Sequence, residues 1–173
     1  MTAARFWLAA RLLIIAACAT PVAAHGAEAL APYGGPALSP RELPRLALGP
    51  GPDALPVPGE GVSVVHFFAT WCEPCRTELP ALAAMAARLS GQGVRVVMVD
   101  VGEPASRVAR FFETAPAAGP VVLDADRALA RAWAVDVLPA SLVFAAGVPR
   151  LSAVGEVAWG DADTDLLALT PSR

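Results

Sequence analysis

Cysteine and histidine are scarce: the 173-residue chain has three cysteines, Cys18, Cys72 and Cys75, and two histidines, His25 and His66. So few thiols exclude a scaffold built on several disulfides. A closed zinc site needs four ligands, and Cys72 and Cys75 could recruit only the two histidines, one of which, His25, falls in a segment that reads as a tether. Excess positive charge is also missing, since 13 Lys and Arg stand against 16 Asp and Glu, for a net charge of -3. With a pI near 5.3 there is no basic field to hold phosphates, and nucleic acid is not an expected partner. The chain has no internal repeats and no room for a second catalytic domain beside one of ordinary size.

An apolar run long enough for a comfortable membrane span, about 20 residues, is lacking too. Arg5 and Arg11 instead precede a short apolar stretch, Leu12 to Ala19, with small residues at Val22-Ala23-Ala24. That order reads as a secretory signal peptide over residues 1–24, cleaved after Ala24. Two other readings stay open. Ile15-Ala16-Ala17-Cys18 resembles a lipobox that would make Cys18 a lipidated N-terminus, and an uncleaved anchor could begin nearer Phe6. Arg5 and Arg11 are not a twin-arginine pair, so export as an unfolded chain to the periplasm is expected, either soluble or tethered at the N-terminus.

Residues 25–61 carry eight prolines, from Pro32 to Pro58, interleaved with glycines. No helix survives that density of breakers. The segment reads as a tether followed by an N-terminal edge segment, with a short edge strand or hairpin between Leu38 and Leu48. The globular pattern starts at Val62, and residues 62–173 are expected to form one domain. Val62 to Ala69 is a continuous apolar, β-branched and aromatic run of the length of a strand buried on both faces. A helix is predicted from Glu73, with Leu79, Leu82, Ala86 and Leu89 at helical spacing, a kink at Pro80 and a stop at Ser90-Gly91.

Val94 to Val99 reads as a second buried strand, and Pro104 opens a helix carrying Val108, Phe111 and Phe112. Pro120 to Leu123 is a short strand, and Asp124 is placed to cap a helix over Asp126 to Trp133. Ala140 to Ala145 turns at Gly147 into an antiparallel return over Leu151 to Val157, and a last helix covers Asp161 to Leu169. This order predicts an α/β fold with a mixed central sheet flanked by helices on both faces.

Cys72 and Cys75 then stand where a buried strand gives way to a helix. A thiolate is the attacking species in disulfide exchange, and an ordinary cysteine is only slightly ionised at neutral pH. At a helix start, unpaired N–H groups and the positive end of the helix dipole favour the Cys72 anion, which marks Cys72 as the nucleophile. Cys75, one turn on, is placed to resolve the mixed disulfide. A zinc pair and an inert structural disulfide are the weaker alternatives. Glu73, between the sulfurs, adds negative charge that disfavours thiolate and makes the dithiol more reducing.

The run Phe68-Ala69-Thr70-Trp71-Cys72-Glu73-Pro74-Cys75-Arg76, followed by Glu78-Leu79-Pro80, resembles the thioredoxin superfamily, and within it the TlpA/ResA-like extracytoplasmic thiol-disulfide oxidoreductases. Val101-Gly102-Glu103, Val121-Val122-Leu123-Asp124, Leu138-Pro139 and Gly155-Glu156-Val157-Ala158-Trp159 extend the likeness from about Val62 to Leu169. The resemblance implies a thioredoxin-like fold and a disulfide reductase that needs no cofactor. It also implies that Pro139 is a cis-proline facing the cysteines, so that Leu138 offers its backbone to an extended substrate. Trp71 and Pro74 would complete that contact surface. For Glu103 it implies a place in a cavity beside the active site, with influence on thiol ionisation and partner choice, against the plainer readings of a solvated loop carboxylate or a first-turn helix acid.

His66 departs from the family pattern, which usually has Asp or Asn six residues before the first cysteine. It reads equally as a proton acceptor for Cys75 poised near neutral pH and as a neutral core histidine held by one hydrogen bond. The implied partners are client protein disulfides, such as apocytochrome c haem-binding or copper-site cysteines, and a membrane electron donor. The chain is expected to be a monomer. A copper(I)-handling factor is the competing reading from another class, weakened because no histidine follows Cys75. A DsbA-type oxidant or isomerase would usually carry a motif histidine and a helical insertion, and neither is present.

Overall fold

The computed structural model describes residues 27–48 and 53–171. The expected signal segment, Cys18 and His25 lie outside the described residues. Eight strands and four α-helices follow in chain order: β1 (Ala31–Pro32), β2 (Arg41–Pro44), β3 (Ala54–Val57), β4 (Val62–Phe68), α1 (Glu73–Leu89), β5 (Val94–Val101), α2 (Ala105–Phe111), β6 (Val121–Asp124), α3 (Ala128–Ala132), β7 (Ala140–Ala145), β8 (Val148–Val154) and α4 (Asp163–Leu167). A 3₁₀ turn at Ser90–Gln92 closes α1.

Six strands make the central sheet, in the order β1-β8-β7-β4-β5-β6. β4, β5 and β6 run parallel, whereas β7 lies antiparallel to β4 and β8 antiparallel to β7. This is the mixed sheet of the thioredoxin-like fold. Every residue of β4 is buried, because β4 is central and both faces are covered. Alternation sends Val62, Val64 and Phe68 into one core with Leu79, Leu82, Met85 and Leu89 of α1, Val108 of α2 and Leu166 of α4. Val65 and Phe67 enter the other core with Leu129 and Ala130 of α3, Trp133 and Phe144. β5 alternates in the same sense, with Met98 on the α1 face and Val97, Val99 and Val101 on the α3 face.

The folded unit reaches back before Val62. Of residues 25–61, read as a tether followed by an edge segment, β1, β2 and β3 join the fold, and β2 falls within the Leu38 to Leu48 stretch expected to hold an edge strand or hairpin. β1 pairs with β8 through Ala31↔Ser152 and Pro32↔Leu151, and Arg45 bridges Val122 at the opposite edge of the sheet. β2 and β3 form a separate antiparallel pair that buries Leu43 and Val57 in the α3-side core. The physical reason is that β8 and β6 would otherwise present open edges, and an edge tolerates proline because one side of its ladder is unused.

Helix α1 runs through Pro80 without ending there. Pro80 is exposed, so the carbonyl that loses its partner lies on the side where water can serve it. β8 begins directly after the turn, three residues ahead of the predicted return, and α3 and α4 are single short turns inside the longer helices predicted for them.

Asp124 caps α3 from the end of β6: its two carboxylate oxygens accept from the N–H groups of Leu129 (2.9 Å) and Ala130 (2.8 Å). Arg127, at the N-cap position itself, has φ 58° and makes no side-chain cap. Asp124→Ala strands two buried donors, so it is expected to cost about 2 kcal/mol of stability. A urea midpoint that falls at unchanged slope checks this.

Candidate active site

Cys72 is the N-cap residue of α1, in extended conformation, and its sulfur accepts from the backbone N–H of Cys75 at 3.3 Å. Pro74 sits in the first turn, where its missing N–H costs nothing. The two cysteines form a disulfide with their Cα atoms 5.3 Å apart. Cys75 is wholly buried, while Cys72 keeps 5% of its surface exposed beside Trp71, which is 65% exposed. A partner sulfur can therefore reach Cys72 alone, and the N–H that now points at Sγ would stabilise an anion there. Glu73 and Arg76 pair on the exposed side at 3.1 Å, so the charge that Glu73 brings to the motif is partly offset by Arg76.

Beneath the disulfide lies a buried polar group that mixes a predicted residue with two unforeseen ones. His66 of β4 is fully buried, with Nδ1 3.0 Å from Ser141 Oγ of β7 and Nε2 3.5 Å from Glu78 Oε1. The other Glu78 oxygen accepts from Val157 N–H and Trp159 Nε1–H, each at 2.9 Å. Burial lowers the His66 pKa to about 3 and raises that of Glu78 to about 7. His66 is thus a neutral imidazole near neutrality, and Glu78 is the member of the pair that changes charge there. Whichever charge state Glu78 holds, the two do not form an ion pair near neutrality, since burial keeps the His66 ring uncharged. Glu78 follows Cys75 by three residues on α1, which puts both on the buried helix face.

Glu103 is buried, and both of its oxygens turn onto Thr70. Oε2 accepts from Thr70 N–H at 2.5 Å and Oε1 from the Thr70 hydroxyl at 2.7 Å, with Arg107 Nε 3.8 Å from Oε1. The carboxylate ties down the turn two residues before Cys72. The solvated-loop reading fails, because Glu103 is only 4% exposed.

Leu138–Pro139 is a cis peptide, and Val57–Pro58 is another. Pro139 directly precedes β7, whose first residue Ala140 pairs with Phe67 of β4, and its C=O accepts from Gly155 N–H at 2.8 Å. The register therefore brings Leu138 and Pro139 to the end of β4 from which the Trp71-Cys72 turn departs. Val137 and Val154 are exposed there and line a cavity of about 330 Å³ with Trp133. A cavity of about 380 Å³ bounded by Leu55, Arg95 and Pro120 lies toward the other end of the parallel strands, away from the sulfurs. Among the described residues, no group of three or more His, Cys, Asp or Glu is placed to hold a metal ion. Also among them, no helix is long and apolar enough to cross a membrane.

Glu78, Asp100, Thr70 and Ser141 were not singled out from the sequence. Glu78 had a signal, its spacing of one helical turn from Cys75. Asp100 had one too, as a lone acid ending an apolar strand.

The AhpC/TSA family model matches residues 56–148. The chain is 40% identical over 86 residues to the thiol-disulfide oxidoreductase ResA of Bacillus subtilis, a match covering 50% of this chain and 48% of that protein. It is 34% identical over 86 residues to the ResA of Geobacillus thermodenitrificans, covering 50% and 49%. The match thus spans about half the length of these curated relatives. Among solved structures, a putative thiol:disulfide interchange protein DsbE from Chlorobium tepidum superposes with a TM-score of 0.67 at 23% identity, over 78% of this chain and 94% of that one. StoA from Bacillus subtilis superposes with a TM-score of 0.61 at 18% identity, over 73% and 95%. These two likenesses bear on the fold alone.

Proposed function

The chain belongs to the AhpC/TSA family, and from that membership we propose that it is a thiol-disulfide oxidoreductase that reduces disulfides in client proteins. The observation that carries the proposal is the Cys72 sulfur at the N-cap of α1, reachable from solvent beside Trp71, with Cys75 buried behind it and already bonded to it. In the reduced protein, the Cys72 thiolate attacks one sulfur of a client disulfide. The other client sulfur leaves as a thiolate and takes a proton. Cys75 then gives up its proton and attacks Cys72 Sγ, which releases the second client thiol and restores the Cys72–Cys75 disulfide. Two electrons pass to the client, and an upstream thiol donor must return them.

Cys75 is enclosed, so its proton needs a local acceptor. Glu78, on the same buried face and with a pKa near 7, suits that role better than His66, which burial keeps neutral. Val157 and Trp159 hold Glu78 through one carboxylate oxygen. Trp71, Pro74, Leu138 and Pro139 would meet an extended client segment at the strand end, with Leu138 offering backbone groups.

The setting proposed is outside the cytoplasm, soluble or tethered at the N-terminus, with residues 1–24 as export signal, a membrane electron donor, and haem-binding or copper-site cysteines of exported proteins as clients. The export-signal pattern of residues 1–24 and the likeness to ResA, matched over about half of its length, support this placing. Equilibrating the purified protein against glutathione or dithiothreitol buffers tests the direction of transfer. A potential well below that of a dedicated oxidant is expected, and a value at or above about -120 mV would overturn the reductase assignment.

A further inference from the structure

We propose that Asp100 is a positioning residue of the redox site: held as a neutral acid, it orients Glu103 so that Glu103 can clamp the Thr70 turn ahead of Cys72. The inference rests on the oxidoreductase reading for its purpose, not for its geometry.

Asp100 is fully buried near the end of β5. By strand alternation its side chain shares a sheet face with Met98 and lies on the α1 side, beside Phe68, its register partner on β4. Gly102, with φ 81°, reverses the chain just after it, and Glu103 N–H returns to donate to Asp100 Oδ1 at 3.3 Å. Few residues other than glycine take that backbone conformation without strain. Glu103 in turn spends both oxygens as acceptors from Thr70. The path from Asp100 to Cys72 is therefore short and continuous: carboxyl to Glu103 backbone, Glu103 carboxylate to Thr70 backbone and hydroxyl, Thr70 to Trp71 and Cys72.

Asp100 Oδ2 is buried with no hydrogen-bond partner, next to the Glu103 carboxylate. Two anions so close in a dry site repel strongly, so one must keep a proton. Because both Glu103 oxygens accept from Thr70, the proton belongs on Asp100. Burial first, and then the neighbouring Glu103, push the Asp100 carboxyl up to about 8. The other charged groups around it are Asp124 from β6, which also raises it, and Arg107 from α2 on the outer side of Glu103. Arg127 packs its stem against Gly102. His66 on β4 and Glu78 on α1 lie on the same sheet face. Among the described residues, the charges that shift Asp100 are the two acids Glu103 and Asp124, so no cation offsets its charge once it ionises.

The test is the pH dependence of Cys72 alkylation by iodoacetamide in the reduced protein, with the thiolate fraction followed by ultraviolet absorbance. In the wild type, the thiolate fraction of Cys72 should depart from a single titration in a second step centred near pH 8, as ionised Asp100 pushes Glu103 off the turn and the Cys72 pKa rises. Asp100→Asn keeps the acceptor for Glu103 N–H and stays neutral, so it should give a single titration with no second step. Asp100→Ala loses the anchor and should raise the Cys72 thiol pKa by about one unit, cutting the rate about tenfold below that pKa. If Asp100→Ala does not fold, Thr70→Val, which lacks the hydroxyl leg of the clamp, should raise the Cys72 pKa in the same direction. The proposal is overturned if Asp100→Asn keeps the wild-type second step, or if Asp100→Ala, or Thr70→Val in its place, leaves the Cys72 pKa where it was. Alkylation needs no disulfide substrate. A protein that alkylates as expected yet reduces no client would sink the oxidoreductase reading and leave this one standing.

Discussion

Cys75→Ser is expected to lower turnover on protein disulfides by about three orders of magnitude or more, because the release step loses an oriented intramolecular nucleophile whose effective molarity is of order 10⁵ M. Cys72 still attacks, so the variant should accumulate a mixed disulfide with its client. Cys72→Ser should accumulate none, since the remaining thiol, Cys75, is fully buried behind the motif. The asymmetry follows from position: at the N-cap, Cys72 has a backbone N–H directed at its sulfur and an opening to solvent, and Cys75 has neither. Non-reducing gels of cells carrying each variant, with mass spectrometry of the adducts, read the outcome and identify the clients. Adducts on Cys75 in the Cys72→Ser protein, or comparable turnover in both variants, would reverse or remove the assignment of roles.

The second large effect concerns stability and Glu78. Below pH 4.5 the carboxyl is protonated in both the folded and the unfolded chain and costs nothing. Above 4.5 the unfolded chain ionises, while the folded protein holds its proton until about pH 7, so unfolding releases a proton and stability falls as pH rises through that window. Beyond pH 7 both states are ionised and the loss persists. At about 1.4 kcal/mol per unit, the wild type should lose on the order of 2 to 3 kcal/mol relative to Glu78→Gln across this range.

Glutamine is the informative replacement, because its carbonyl can accept from Val157 and Trp159 while its amide donates to His66 Nε2. His66→Asn should differ from the wild type in the opposite sense. The unfolded imidazole gains a proton below 6.5 that the folded one refuses down to about 3, so the wild type loses ground to the Asn variant as pH falls. Urea midpoints at pH 5 and pH 8 for the three proteins decide both points. A pH-independent gap between wild type and Glu78→Gln would show that Glu78 is already ionised in the fold.

The main strands and the redox helix could be read from the chain because their signals are local. β4 and β7 are apolar runs broken only at Ser63, His66 and Ser141, and the buried positions of α1 recur at helical spacing through Leu79, Leu82 and Leu89. The N-terminal segment was harder, because its strands owe their existence to remote partners. Nothing near Ala31 reveals that it will pair with Ser152, and prolines conceal strands that survive only at an edge. The helix ends failed in the same manner. α3 is shorter than its apolar pattern suggests because Asp124 caps it at Leu129 and Ala130, several residues into the predicted span.

The site divides along a similar line. Cys72, Cys75 and Trp71 occupy one turn, so their roles follow from a strand that meets a helix, and that junction is legible in a dozen residues. Thr70 with Glu103, His66 with Glu78 and Ser141, and Asp100 with Glu103 are set by how α1, β7 and the loop after β5 stack on β4. Whether His66 titrates near neutrality or stays a neutral ring depends on how much water reaches it, and Glu103 could point to solvent or inward with the same neighbours in sequence. By itself, then, the amino-acid sequence determined the mixed α/β fold class and placed the cysteine pair where a buried strand meets a helix. The tertiary structure decided which acids keep their protons, because charge in a protein is governed by burial and by groups brought from distant parts of the chain.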